Sequence, residues 1–193
     1  MDLSTRINTE AIQREALRVL FNHLNDKIIE MRPIWALEDD EFWSSLNRGQ
    51  SGWTIETIND ENFYPGTIPS LVGAEPDKYP NVCTIAYLGS PTNSDDDTGD
   101  MYNIRLAIEV MVKSDNEVEI NTRIQKTLDA IHLVFMETLE NRTLNNTVPG
   151  LNSPTKSIGN VFEAREFGST GDTWFWQGGI IEYNVDKYVN FDK

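Results

Sequence analysis

The sequence has 193 residues, enough for one domain of ordinary size, and its 39% hydrophobic and 10% aromatic content supports a packed core rather than a disordered chain. Its 31 acidic and 16 basic side chains leave a net charge of −15 and include no Lys/Arg run, which works against non-specific binding of DNA. Cys83 is the only cysteine, so a disulfide framework and a cysteine-rich zinc site are excluded, and no stretch reaches the roughly 20 apolar residues of a membrane span.

The opening "MDLSTRINTE" lacks the apolar segment of a signal peptide. The expectation is a protein made and kept in a cytosol, or assembled there into something larger, with the Asn141 and Asn145 sequons incidental. Ile12, Ala16, Val19, Leu20, Leu24, Ile28 and Met31 recur at steps of three and four, which predicts an amphipathic helix. Asn8 is its expected N-cap, Glu10 suits its first turn, and Pro33 is expected to end it.

Residues 33–81 read as a loop-rich, aromatic insertion. Pro33, Pro65, Pro69, Pro76 and Pro80 interrupt it, yet it carries Trp35, Phe42, Trp43, Trp53, Phe63 and Tyr64. So many aromatics imply order, and one short strand is expected at Trp53–Ile58, "WTIETI". "VCTIAYL" (Val82–Leu88) predicts a strand, in which Cys83 is a small buried hydrophobe. "MYNIRLAIEVMVK" (Met101–Lys113) predicts a longer strand. Its even positions from Tyr102 to Val112 are apolar and its odd ones include Asn103, Arg105, Glu109 and Lys113, as in an antiparallel sheet covered on one side.

Ser114-Asp115-Asn116-Glu117 matches a capping box and predicts a second helix to about Glu140. Val118, Ile124, Leu128, Ile131, Phe135 and Leu139 form its apolar stripe, with Asn121 a polar intrusion. Two strands follow, Asn160–Phe167 and Asp172–Tyr188, and Gly178-Gly179 suggests a bulge or a close backbone approach. The element order, without βαβ alternation, predicts a single α+β domain over residues 1–193: an antiparallel sheet with two long helices on one face.

Recognisable chemistry is sparse. "NSDDDTGD" (Asn93–Asp100) fails as an EF-hand loop, because with Gly99 at position 6 the bidentate Glu position falls on Arg105. A weak cation site on Asp95, Asp96, Asp97 and Asp100 is the alternative to a solvated hairpin tip spanning residues 89–100. His23 and His132 read as helix-flank residues, and there is no P-loop, G-x-S-x-G or G-x-G-x-x-G motif. No catalytic residue, cofactor or metal is expected.

"KYPNVCTIAYLG", "MYNIRLAIEVMVKSDNEVEINTRIQKTLDAIHLVF" and "WFWQGGIIEYNVDKY" resemble, in order and pattern, the tail terminator (tail completion) proteins of tailed bacteriophages, over roughly residues 8–31 and 79–188. The resemblance implies a structural virion protein, assembled in the bacterial host cytoplasm. It would form a homo-oligomeric ring, typically hexameric, at the head-proximal end of the tail. Its partners would be the tail tube protein and the head connector or neck proteins, with DNA passing through the lumen without specific binding and no membrane involved. On that reading Asp95, Asp96, Asp97 and Asp100 form a lumen or docking loop. Trp35, Trp43, Trp53, Phe63, Tyr64, Trp174 and Trp176 are the subunit-interface candidates. Another neck or head-completion protein is the nearest alternative; a metal- or carboxylate-dependent hydrolase and an acidic DNA-mimic inhibitor are alternatives of other classes.

Overall fold

A computed structural model describes residues 9–46, 55–66, 80–92, 99–140, 154–165 and 173–190. The elements are α1 (Thr9–Ser45), a single 3-10 turn (Asp60–Asn62), β1 (Phe63–Pro65), β2 (Asn81–Thr92), β3 (Gly99–Ser114), α2 (Glu117–Glu140), β4 (Thr155–Arg165) and β5 (Thr173–Asn190). The strands form one sheet in the order β1-β2-β3-β5-β4. Every pairing is antiparallel except that of β1 with β2, so the α+β architecture holds with a mixed rather than purely antiparallel sheet.

The sheet's period of two is plain in β3. Ile104, Leu106, Ile108, Val110 and Val112 are buried, whereas Asn103, Arg105, Glu109, Met111 and Lys113 keep some exposure. The buried set meets Ile12, Ala16, Leu20, Leu24 and Ile28 of α1 and Ile120, Ile124, Leu128, Ile131 and Phe135 of α2 in one core. Tyr183 of β5 lies edge-on to Phe135, with ring centroids 5.3 Å apart.

Gly179 marks the tightest approach of α2 to the sheet. A methyl group there would sit 2.8 Å from Ile124 Cγ1 and 3.0 Å from Leu128 Cδ1. The expected close approach is therefore present. The β3–β5 ladder runs unbroken through Gly178 and Gly179, and the irregularity lies on the facing strand, between Ile158 and Val161 of β4.

Pro33 does not end the first helix. α1 continues for twelve residues beyond it, so the loop-rich assignment of 33–81 fails over 34–45. A proline there removes the hydrogen bond to the carbonyl of Ile29, one turn back. Ile29 and Pro33 are both exposed, so water can serve that carbonyl. Burial of Trp35 and a 2.5 Å ion pair from Lys126 to Asp39 fasten the distal half to α2.

The strand expected at Trp53–Ile58 is also absent from its described part. Residues 55–59 are irregular, and Asn25 of α1 serves them as a strand neighbour would. Its Nδ2 donates to the Ile58 carbonyl at 2.7 Å and its Oδ1 accepts from the Ile58 N–H at 2.8 Å. Arg32 donates to the Ile55 carbonyl through Nε and Nη2. These bonds let Ile55 and Ile58 enter the core without a sheet partner.

Ser114 works differently from the expected capping box. It lies at the end of β3, its Oγ accepts from the Asn116 N–H at 3.0 Å, and it donates to Glu119. The carboxylate that answers it is Glu119 rather than Glu117. Asn8, the expected cap of α1, lies outside the described residues.

Candidate interaction surface

Pairing of β2 with β3 reaches Thr92↔Met101 after a register shift between Leu88 and Pro91, and β5 flanks β3 to its start at Gly99↔Asn190. The described ends of β2, β3 and β5 thus lie together at one end of the sheet. At ~3.4 Å per residue, β3 spans roughly 50 Å over Gly99–Ser114. Asp100 belongs to β3 and pairs in register with Val189. Asp95, Asp96 and Asp97 lie outside the described residues. The described residues contain no group of three His, Cys, Asp or Glu side chains placed to hold a metal ion.

The aromatic candidates do not act as a set. Trp35 is 5% exposed, with Lys126 Nζ 5.9 Å from its ring centre, so its surface is spent inside the chain. Phe63 is half-buried and packs edge-on against Phe21 at 5.4 Å. Tyr64, next to it in β1, is half-buried, as is Trp176 of β5. Trp43 lies in α1 and Trp174 in β5, whereas Trp53 lies outside the described residues. The structure therefore brings Phe63 and Tyr64 together on an edge strand and sets Trp176 on the other side of β3.

A polar seam joins α2 to β5. Tyr183 Oη lies 3.3 Å from His132 Nδ1. Burial pushes the Tyr183 hydroxyl far up, so it stays protonated. His132 is held below the usual histidine range, first by burial and then by Lys156, with Asp129 opposing. Lys156 of β4 is ion-paired with Asp129. Further along β5, Gln177 Nε2 donates to Asn121 Oδ1 at 2.9 Å and to the Gly159 carbonyl at 2.8 Å. These bonds tie α2 to β4 and β5.

A cleft lined by Ile55, Glu56, Pro80, Val112, Lys113, Arg123 and Thr127 has a cavity volume of about 10 Å³, room for one water molecule. Arg123 at its wall is tied to Glu119 and Glu56. Small-molecule sites usually have several hundred Å³.

The surface that sequence periodicity missed is the distal half of α1. Ile34 is 46% exposed and Leu37 60% exposed, and Phe42 and Leu46 are about half exposed further along. The signal was legible in "IWALEDDEFWSSL": its apolar residues recur on more than one side of the helix, which a helix lying flat on one core does not need. Treating Pro33 as a terminator hid it. The described helices include none long and apolar enough to cross a membrane. No protein-family model matches the chain, and no curated protein matches it.

Proposed function

We propose that this chain is a structural virion protein of the tail-terminator type. It forms a ring at the head-proximal end of a phage tail, ends growth of the tube and joins the tail to the head connector, with DNA passing through the lumen. The observation that supports this reading is that β2, β3 and β5 end together at one end of the sheet, at Thr92, Gly99 and Asn190, and that the sequence joining β2 to β3 carries Asp95, Asp96 and Asp97. A carboxylate-rich segment suits a surface that must meet a neighbouring ring or repel passing DNA, since like charge keeps a phosphate backbone from adhering. The element order matches the resemblance: an N-terminal helix, a long hairpin, a helix and a returning strand.

Light scattering of the protein alone and with purified tail tubes tests the reading. Ring-sized particles, or binding confined to tube ends, support it; a monomer indifferent to tubes refutes it. Replacing Asp95, Asp96, Asp97 and Asp100 by Asn should alter docking or DNA passage while the chain stays folded. Loss of folding in that variant would remove the loop from the proposal. Density for the chain elsewhere in the neck, in micrographs of whole virions, would favour a different head–tail connector component.

A further inference from the structure

We infer that the outward face of the distal half of α1 is a docking site for a partner protein that presents an apolar ridge flanked by lysine or arginine. Ile34, Leu37, Glu38 and Glu41 fall at positions i, i+3, i+4 and i+7 of a continuous helix, so they form one stripe. Trp35 and Asp39 face α2, which turns this stripe away from the core. Ile34 is 46% and Leu37 60% exposed, one turn apart on the same face of the helix. Glu38 and Glu41 are exposed beside them.

The chemistry of the occupant follows from charge. Residues 34–46 hold four carboxylates and no lysine or arginine. The helix's last turn has no basic residue either, so these acids stand near the negative end of its dipole, where a cation is favoured. No basic side chain among the described residues reaches Glu38 or Glu41, because Lys126 takes Asp39 instead. The chain's own described cations are largely committed elsewhere. Arg14 holds Glu10, Arg18 holds Glu15, Lys27 holds Glu30 and Glu137, Arg123 holds Glu56 and Glu119, and Lys156 holds Asp129. A second copy would therefore bring mainly further negative charge, while a foreign basic-rimmed ridge supplies both the apolar contact and the counter-charge. This inference does not depend on the tail-assembly reading.

The probes are three amphipathic model helices of equal length: one with a leucine face flanked by lysines, one with leucines flanked by glutamates, and one with alanines flanked by lysines. Binding to the full chain is measured by fluorescence anisotropy at two salt concentrations. The leucine–lysine peptide should bind at least tenfold more tightly than either other peptide, and less tightly at high salt. Ile34→Ser with Leu37→Ser should weaken it at least tenfold. Glu38→Gln with Glu41→Gln should weaken it several-fold. Asp115→Asn with Glu117→Gln removes the same charge at the start of α2 and should leave binding unchanged. All six positions are exposed, and circular dichroism checks that each variant keeps its fold.

Equal loss of binding in the α2 variant, or binding of the alanine–lysine peptide as tight as that of the leucine–lysine peptide, would reduce the effect to bulk charge and overturn the inference. Self-association abolished by Ile34→Ser with Leu37→Ser in sedimentation experiments would assign the stripe to a second copy and also overturn it.

Discussion

The adjacent glycines of β5 should respond to the same substitution with opposite signs. At Gly179, an added methyl would meet Ile124 Cγ1 at 2.8 Å, Leu128 Cδ1 at 3.0 Å and Ile124 Cδ1 at 3.2 Å. Both side chains are fully buried, and a β-branched isoleucine in a helix has one dominant rotamer, so neither can step aside freely. Overpacking of this kind costs about 1–3 kcal/mol. Replacing a strand glycine by alanine returns about 0.5–1 kcal/mol through the unfolded chain's lost freedom. Overpacking wins, and Gly179→Ala should destabilise by about 1–2 kcal/mol, or ~2–8 °C in Tm for a domain of this size. At Gly178 the nearest atom to the same methyl is the Val110 carbonyl oxygen at 3.8 Å, an ordinary contact. Gly178→Ala should therefore be neutral or stabilising by up to about 1 kcal/mol. Urea unfolding followed by circular dichroism measures both. In an Ile124→Ala background, which lacks both Cγ1 and Cδ1, Gly179→Ala should cost less than in the parent, because the Ile124 atoms it would meet are gone. Equal effects at the two glycines, or strict additivity with Ile124→Ala, would refute the account of how α2 seats on the sheet.

Two further predictions concern the ends of α2 and its polar seam. Ser114→Ala should cost about 1 kcal/mol, since it removes the bonds to the Asn116 N–H and to Glu119; a urea midpoint indistinguishable from the parent would show that Ser114 caps nothing. His132 titrates below its usual 6.5 in the folded chain, so the unfolded chain takes up the proton first as pH falls. Its contribution is thus intact above about 6.5 and is lost as pH drops through the lower folded value. His132→Gln should flatten the decline in stability between about pH 6.5 and 5. Urea midpoints at stepped pH that fall in parallel for parent and variant would show that this histidine does not carry the acid limb.

What the sequence showed and what it hid divide along a physical line. β3 and α2 were legible because a period of two over Ile104–Val112 and a period near 3.6 over Ile124–Phe135 each report burial against a large, continuous surface, although near its start the stripe of α2 took in Asn121, which is exposed, rather than the buried Ile120. Elements held by side chains from distant parts of the chain left no such period. β1 is three residues long and ends on a proline; it exists because it pairs with Val82, Cys83 and Thr84, and because Gly66, at φ +112°, turns its N–H onto the Thr84 carbonyl. The irregular run at Ile55–Ile58 is built by Asn25 and Arg32, neither of which signals in sequence that it will stand in for a strand.

Pro33 is the most instructive of these cases. A proline inside a helix costs ~3 kcal/mol, and the residue before it is pushed away from helical geometry. Here that preceding residue, Arg32, is held by two bonds to Ile55, and the turn that follows is held by Trp35 and by the Asp39–Lys126 pair. Tertiary contacts on the inner side thus keep α1 helical through its own breaker. The same contacts leave the outer stripe of Ile34, Leu37, Glu38 and Glu41 exposed. The continuation past the proline is therefore set by the inner side of the helix, and the outer side is the part that the proposed partner would cover.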